Sequence, residues 1–83
     1  MFWIYILESQ TTGKYYTGYT SNLINRLSKH NRGLSPTTRR LKGPWKIIHT
    51  ESFETKTEAI KRERQIKKWK DRKLIEKLID SKK

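Results

Sequence analysis

A hydrophobic run at residues 2–8 and an aromatic run at 14–20 predict the first two strands of a sheet. Both runs are rich in the aromatic and β-branched residues that strands favour, and the polar, glycine-containing segment between them suits a hairpin turn. The first run is apolar at successive positions, which predicts that both faces of the sheet are covered. A hairpin centred near Gln10 and Thr11 would set Tyr5 roughly opposite Tyr16 and bring their hydroxyl groups together.

After residue 20 the hydrophobic spacing becomes helical. We predict a helix that is capped by Ser21, runs to about Asn31 and stops at Gly33, with leucines every fourth residue on its buried side. Residues 32–44 contain glycine and proline at several positions, and every charge among them is positive. This composition predicts a loop, for which both a phosphate-binding flap and a solvated connection are plausible.

The second half of the chain predicts one more strand and two more helices. Residues 45–53 form the strand, and the Thr55 to Glu58 capping box opens the next helix. A break at residues 69–71 separates it from a last helix that begins at about Asp71 and buries Leu74, Ile75, Leu78 and Ile79. The fold class is therefore α/β (α+β): a single domain over residues 1–83 with a small three-stranded, mainly antiparallel sheet, about three helices and the order β-β-α-β-α-α.

Several polar side chains within this pattern suggest a site. Arg26 and His30 are four residues apart and share one helix face, next to the hairpin that carries Tyr5 and Tyr16. Two phenols, a guanidinium and an imidazole in one small unit are more typical of a functional site than of a core.

Glu63 lies in the middle of the apolar stripe of the second helix, which Ala59, Ile60 and Ile66 form. A carboxylate facing inward needs a cationic partner or a metal ion. It could be a structural salt bridge, for instance to Arg26, or a metal ligand, and we favour the metal ligand.

Composition narrows the possible functions. The chain has no cysteine, which excludes disulfides, thiolate zinc sites and a cysteine nucleophile, and its two histidines are too few and too far apart for a histidine metal cluster. The apolar start has no preceding basic segment and is too short to span a membrane. We therefore expect a cytoplasmic protein that does not bind membranes.

Charge points to a polyanion as the partner. The net charge is +12, and no carboxylate occurs between Glu8 and Glu51. That acid-free interval suggests a surface that faces nucleic acid. Besides Arg26, the candidate contacts in the interval are Lys14, Lys29, Arg32, Arg39, Arg40, Lys42 and Lys46.

These residues together resemble the GIY-YIG nuclease domain family, and most closely its small stand-alone bacterial members of the YhbQ-like kind. Trp3-Ile4-Tyr5 takes the place of the first triad and Tyr16-Thr17-Gly18 that of the second. Arg26, with His30 four residues later, resembles the family's helix segment, and the helix that contains Glu63 resembles its metal-binding helix. The resemblance spans almost the whole chain.

The resemblance implies a metal-dependent endonuclease that hydrolyses phosphodiester bonds in DNA with one Mg²⁺ or Mn²⁺, and DNA repair is a fitting role. Carried over to this chain, Glu63 would hold the metal and Arg26 would stabilise the charge on the phosphate. Tyr5 or Tyr16 would act as the base or orient the attacking water, and His30 would assist proton transfer or bind phosphate. A free phenol has a pKa near 10. Arg26, the metal and the basic surroundings are expected to favour phenolate.

Two departures from the family pattern stand out. Tyr19 follows the second triad where many members have lysine, and no asparagine occurs after Asn31 to match the family's late asparagine. The alternative function is a non-catalytic DNA- or RNA-binding module that uses the same basic face. For either function we expect a monomer or weak homodimer without an identifiable protein partner. The endonuclease would act on single-stranded, branched or nonspecific DNA.

Overall fold

The computed structural model describes residues 1–34, 36–69 and 72–80, and within them it does not describe the side chains at 37, 39 and 41. These residues form three strands and four helices. In chain order they are β1 (Phe2–Ser9), β2 (Tyr15–Thr20), α1 (Leu23–Asn31), α2 (Pro36–Leu41), β3 (Trp45–Phe53), α3 (Lys56–Lys67) and α4 (Arg72–Asp80). The predicted α+β class and element order are confirmed, with α2 as an added short helix.

The three strands form one antiparallel sheet in the order β2-β1-β3, so the most apolar strand lies in the centre. The predicted hairpin is confirmed, but its register is shifted by two residues: Tyr5 pairs with Gly18, and Tyr16 pairs with Leu7. The turn is centred one residue later than expected, because residues 10–14 form it, with Gly13 at a φ of 75°. A shift of two residues keeps both tyrosines on the same face.

Both faces of the sheet are covered, as the run of apolar residues in β1 predicts. On one face Ile4 and Ile6 pack with Ala59 and Ile66 of α3, and α4 contributes Ile75 and Leu78. On the other face Tyr5, Leu7 and Trp45 pack with Leu23 and Leu27 of α1. The two cores share β1, so the position of its side chains fixes both layers.

The ends of α1 explain where it begins and stops. Its cap is Asn22 and not Ser21, because the Asn22 side chain accepts a hydrogen bond from the backbone N–H of Asn25. The predicted stop at Gly33 is confirmed: Gly33 has a φ of 73°, and its N–H and that of Leu34 donate to the last carbonyls of the helix.

The loop expected over residues 32–44 contains a helix. α2 begins at Pro36, a residue whose fixed φ and missing N–H suit the first helical position. Its Thr38 is fully buried. Pro36 indicates a loop in the sequence, whereas in the structure it starts a short helix that buries Thr38.

β3 is linked to α3 by a carboxylate. Glu51 accepts hydrogen bonds from Nε of Arg62 at 2.8 Å and from Nε2 of the buried His49 at 2.8 Å. Burial works to raise the pKa of Glu51, but the hydrogen bonds from Arg62 and His49 outweigh it and hold the pKa below its usual value. The capping box of α3 is confirmed, since Thr55 accepts from the N–H of Glu58.

α4 covers the sheet with a narrower face than expected. Ile75 and Leu78 pack against the core, but Leu74 is 41% exposed. The predicted helix break at residues 69–71 falls on residues outside the description, apart from Trp69 itself. None of the described helices combines the length and hydrophobicity that crossing a membrane requires.

Candidate active site

Gly18 makes room for the tyrosine of the central strand. A Cβ atom at Gly18 would lie 2.5 Å from the hydroxyl oxygen of Tyr5 and 2.7 Å from the ring carbon that carries it. Both distances are shorter than the contacts that Cβ atoms make in folded proteins. Only glycine therefore lets the Tyr5 ring lie across β2 in this position.

Behind Gly18, three buried side chains form a hydrogen-bonded row. The Tyr5 hydroxyl lies 2.9 Å from Nε2 of His30, and Nδ1 of His30 lies 2.8 Å from Oγ1 of Thr38. Tyr5, His30 and Thr38 are 2%, 3% and 0% exposed. Buried polar groups need hydrogen-bond partners, and this row supplies them from β1, α1 and α2.

Burial also sets the ionisation of these groups. Burial, with a smaller contribution from the charge of Arg26, lowers the pKa of His30, so its imidazole is neutral at pH 7. Burial and the neighbouring Tyr16 raise the pKa of Tyr5, and burial and Glu63 raise the pKa of Tyr16. Arg26 opposes both of these increases without reversing them. Arg26 favours phenolate, as expected, but burial outweighs it in the protein alone, so the pKa of each tyrosine stays above that of a free phenol.

Tyr16 lies beside the row. Its ring centroid is 6.4 Å from that of Tyr5, 5.1 Å from His30 and 6.5 Å from Trp45. On another side, Nζ of Lys67 lies 5.5 Å from the centre of the Tyr16 ring, within the range of a cation–π contact. Tyr16 thus lies between the buried histidine and a cation of α3.

The two tyrosines open onto a polar cleft of about 360 Å³, which we call the tyrosine cleft. Its walls come from both strands of the hairpin and from α1 and α3, and they include Tyr5, Tyr16, Gly18, Arg26, Lys56 and Glu63. Four of the five predicted catalytic residues therefore share one cavity. His30 lies behind Tyr5, where its burial leaves it able to exchange a proton with Tyr5 but not to bind a phosphate in the cleft.

Glu63 is the one carboxylate among the described residues that line the tyrosine cleft. Its ion pair is with Lys67, one helical turn further, at 3.8 Å, and not with Arg26. The Glu63 side chain is 15% exposed and that of Lys67 is 48% exposed. An exposed partner at this distance contributes little stability, so the pair does not explain why a carboxylate is placed here.

The chemistry of Glu63 fits a hard divalent cation. Mg²⁺ prefers oxygen ligands and keeps several of its waters, so one carboxylate on the wall of a polar cleft can anchor it. Among the described residues, no group of three or more His, Cys, Asp or Glu side chains could hold a metal ion. Water and phosphate oxygens would therefore supply most of the other ligands.

The basic residues expected to contact nucleic acid lie away from the tyrosine cleft. The described side chains among them are exposed, and none lines the cleft; they are Lys14, Lys29, Arg32, Arg40, Lys42 and Lys46. The side chain of Arg39 is outside the description. Lys14 follows the hairpin turn and Lys46 lies at the start of β3, at the opposite end of the sheet from the cleft. We call this the turn end; its contact with nucleic acid stays a prediction.

Three residues of the site were missed in the sequence. Lys56 and Lys67 lie seven residues before and four after Glu63, a spacing that places them on its helix face and could have identified them. Thr38 fell within the predicted loop, where no helical pattern could place it against His30.

Comparison with known proteins agrees with this geometry. A family model described as the GIY-YIG catalytic domain matches residues 1–76.

The chain belongs to the GIY-YIG family.

This is a nuclease family, and the relatives found are small proteins like this one. A UPF0213 protein of Halobacterium salinarum is 42% identical over 64 residues, which are 77% of this chain and 82% of that protein. A UPF0213 protein of Staphylococcus saprophyticus is 38% identical over 65 residues, 78% of each chain. The solution NMR structure of a UPF0213 protein from Bacillus halodurans matches with a TM-score of 0.61 at 36% identity and covers 99% of this chain and 86% of that one.

Gly18→Ala tests the close contact within this GIY-YIG domain. The added methyl group must displace the Tyr5 ring, and overpacking of this kind costs about 1–3 kcal/mol. We expect a lower free energy of unfolding together with shifted NMR signals of the His30 ring. Gly13→Ala is the control, because it strains a positive φ in the hairpin turn, where an added Cβ would meet no other atom, and it should leave the His30 signals in place. Unchanged stability and His30 signals in Gly18→Ala would contradict the assigned contact.

The lowered pKa of His30 predicts a pH dependence of stability. Between its usual pKa of about 6.5 and its lower folded value, the unfolded chain binds a proton that the folded chain does not. The free energy of unfolding should therefore fall as the pH decreases below about 6.5, by up to about 1.4 kcal/mol per pH unit. Denaturant titrations at pH 7.5 and 5.5 measure this difference in the free energy of unfolding. His30→Gln should lose this difference, whatever its absolute stability, and an unchanged difference would show that His30 is not its source.

Proposed function

We propose that the protein is a metal-dependent endonuclease that hydrolyses phosphodiester bonds in DNA. One observation carries the proposal: a single cleft contains Tyr5, Tyr16, Arg26 and Glu63, and the first of these tyrosines is hydrogen-bonded to a buried, neutral histidine. A cation, a carboxylate and a group linked to a proton acceptor are the parts that phosphodiester hydrolysis needs.

Arg26 and Lys56 would bind the phosphate. Both line the tyrosine cleft and are exposed, so they can meet an anionic substrate without first breaking an ion pair within the described chain. A guanidinium can donate two parallel hydrogen bonds to phosphate oxygens. In this position Arg26 stabilises the negative charge that increases on the phosphate as the bond to the nucleophile forms.

Glu63 would hold Mg²⁺ or Mn²⁺ on the α3 side of the cleft. When bound, such an ion polarises a phosphate oxygen and lowers the pKa of a coordinated water. Lys67 contacts both Glu63 and the ring of Tyr16, which keeps a positive charge beside the carboxylate. The long, exposed ion pair with Lys67 leaves carboxylate oxygen atoms able to bind a cation, and this supports the enzyme over a module in which Glu63 is only structural.

Tyr5 can act without a free phenolate. Its hydroxyl donates a hydrogen bond to Nε2 of His30, while the N–H at Nδ1 of His30 donates to Thr38. As a water attacks the phosphorus, the water proton passes to the Tyr5 oxygen and the Tyr5 proton passes to Nε2. The ester bond to the leaving oxygen breaks, and that oxygen takes a proton from water in the cleft. The hydroxide left by this water takes a proton from Tyr5, and Tyr5 recovers its proton from Nε2 of His30, which restores the site. Tyr16 orients the attacking water from the β2 side. The raised pKa of Tyr5 is then no obstacle, because the phenol transfers one proton as it gains another.

The experiment is a cleavage assay on labelled single-stranded, duplex and branched DNA with Mg²⁺, Mn²⁺ or EDTA. Glu63→Gln should reduce cutting by about 100-fold or more while leaving DNA binding and the fold intact, since phosphate contacts supply most of the affinity. Glu54→Gln is the matched control: it removes an exposed carboxylate that does not line the cleft.

Metal-dependent cutting that is lost in Glu63→Gln and kept in Glu54→Gln would support the nuclease. Salt-sensitive binding without cutting by the wild type would favour the alternative, a DNA- or RNA-binding module. If Glu63→Gln unfolds the domain, Glu63 has a structural role and the assignment fails.

A further inference from the structure

The outer surface of α3 carries cations that the proposed mechanism does not use. Lys61, Arg64 and Lys68 lie at spacings of three and four residues, so they share one face of the helix. All three are exposed, and among the described residues none of them is paired with a carboxylate. Of the two acids on α3, Glu58 bonds to the hydroxyl of Thr55 in the capping box, and Glu63 lines the tyrosine cleft and pairs with Lys67. We call Lys61, Arg64 and Lys68 the α3 basic face.

This face lies next to the rim of the tyrosine cleft. At 100° per residue, Lys67 lies 40° from Glu63 around the helix, Arg64 lies 100° from it and Lys68 lies 140° from it. Lys67 already contacts the Tyr16 ring, which lines the cleft. From the cleft to solvent around α3, Lys67 is followed by the half-buried Ile60 and then by Arg64 and Lys68, so one apolar side chain separates the cation at the cleft from the α3 basic face.

The α3 basic face also borders a shallow groove. Lys61, Arg64, Gln65, Lys68 and Trp69 line it. Trp69 packs against the hydrophobic core, and the guanidinium of Arg62 lies 5.7 Å from the centre of its ring. The groove therefore has an aromatic wall beside exposed cationic side chains, a combination suited to a nucleic acid strand.

The turn end offers a weaker attraction for an anion than the sequence suggests. In the folded protein Lys46 pairs across the sheet with Glu8. Lys46 also shares a groove with Glu8, Glu76 and Asp80. An interval without carboxylates in the sequence is thus folded against carboxylates from other parts of the chain.

We propose that the α3 basic face binds the sugar–phosphate backbone of the nucleic acid strand that enters the tyrosine cleft, next to the phosphate that is cut. The proposal rests on the proposed function for the identity of the ligand. The cations from Lys56 to Lys68 span about 18 Å along the helix, which corresponds to about five nucleotide steps of B-form DNA. The contacts involve phosphates, so they carry no sequence preference.

The salt dependence of binding tests this surface. A labelled oligonucleotide, single-stranded or duplex, is titrated at several KCl concentrations in EDTA, so that nothing is cut. The triple variant Lys61→Gln, Arg64→Gln, Lys68→Gln should reduce the magnitude of the slope of log K against log salt by about 2 to 3. The comparison variant is Lys14→Gln, Lys29→Gln, Lys46→Gln, which removes the same charge from the exposed lysines that the sequence analysis predicts as contacts. If the α3 basic face is the contact, this variant should stay near the wild-type slope.

A wild-type slope in the α3 triple variant would overturn the proposal. An equal decrease of the slope in both triple variants would also overturn the proposal, because the slope would then depend only on net charge. A slope that decreases only in the Lys14, Lys29 and Lys46 variant would overturn the proposal and assign the nucleic acid contact to those lysines. Circular dichroism checks that each variant is folded. The assay needs no cleavage. A reduced slope in the α3 variant, together with no nuclease activity in the wild type, would support the α3 basic face as a binding surface and contradict the proposed endonuclease function.

Discussion

The hydrogen-bonded row of Tyr5, His30 and Thr38 is the constraint on which the rest of this structure depends. It joins the central strand to α1 and to α2 through two contacts under 3 Å, all within the protein interior. Each group is polar and would be costly to bury alone. Burial of the row, with Arg26 nearby, keeps the imidazole neutral, and the Tyr5 hydroxyl lies 2.9 Å from its Nε2. Structure and proposed chemistry therefore use the same atoms.

The row also explains two features nearby. Because the Tyr5 ring must reach His30, it lies across β2, and position 18 cannot carry a side chain. Because Thr38 must reach the other nitrogen, the segment after Gly33 folds into a helix that its composition alone would not favour. The helix α2, in a segment whose composition favours a loop, can thus be traced to the contact between Thr38 and His30.

Much of this arrangement could be predicted from the sequence, and the failures have physical causes. The alternation of side chains along β1 and β2 fixes which face Tyr5 and Tyr16 share, and a two-residue error in the register leaves that face unchanged. Glu63 could be found because a carboxylate in an apolar stripe breaks a regular pattern. Thr38 could not, because its place depends on a contact with His30 and not on any periodicity.

The charge distribution on the folded surface differs from the distribution along the sequence. The acid-free interval between Glu8 and Glu51 is real in the sequence, yet folding brings Glu8, Glu76 and Asp80 beside Lys46. Conversely, α3 mixes acids and bases in the sequence, but its helical period separates Lys61, Arg64 and Lys68 onto one face. A surface potential depends on the fold as much as on the composition.

The most direct test of the account is the protonation state of His30, measured by long-range ¹H–¹⁵N NMR correlation on the wild-type protein. The account predicts a neutral ring at pH 7 with its proton on Nδ1, an unprotonated Nε2 that accepts from Tyr5, and a pKa below 6.5. A ring that is charged at pH 7, or that carries its proton on Nε2, could not accept a proton from Tyr5. Either result would contradict the proposed role of the buried row.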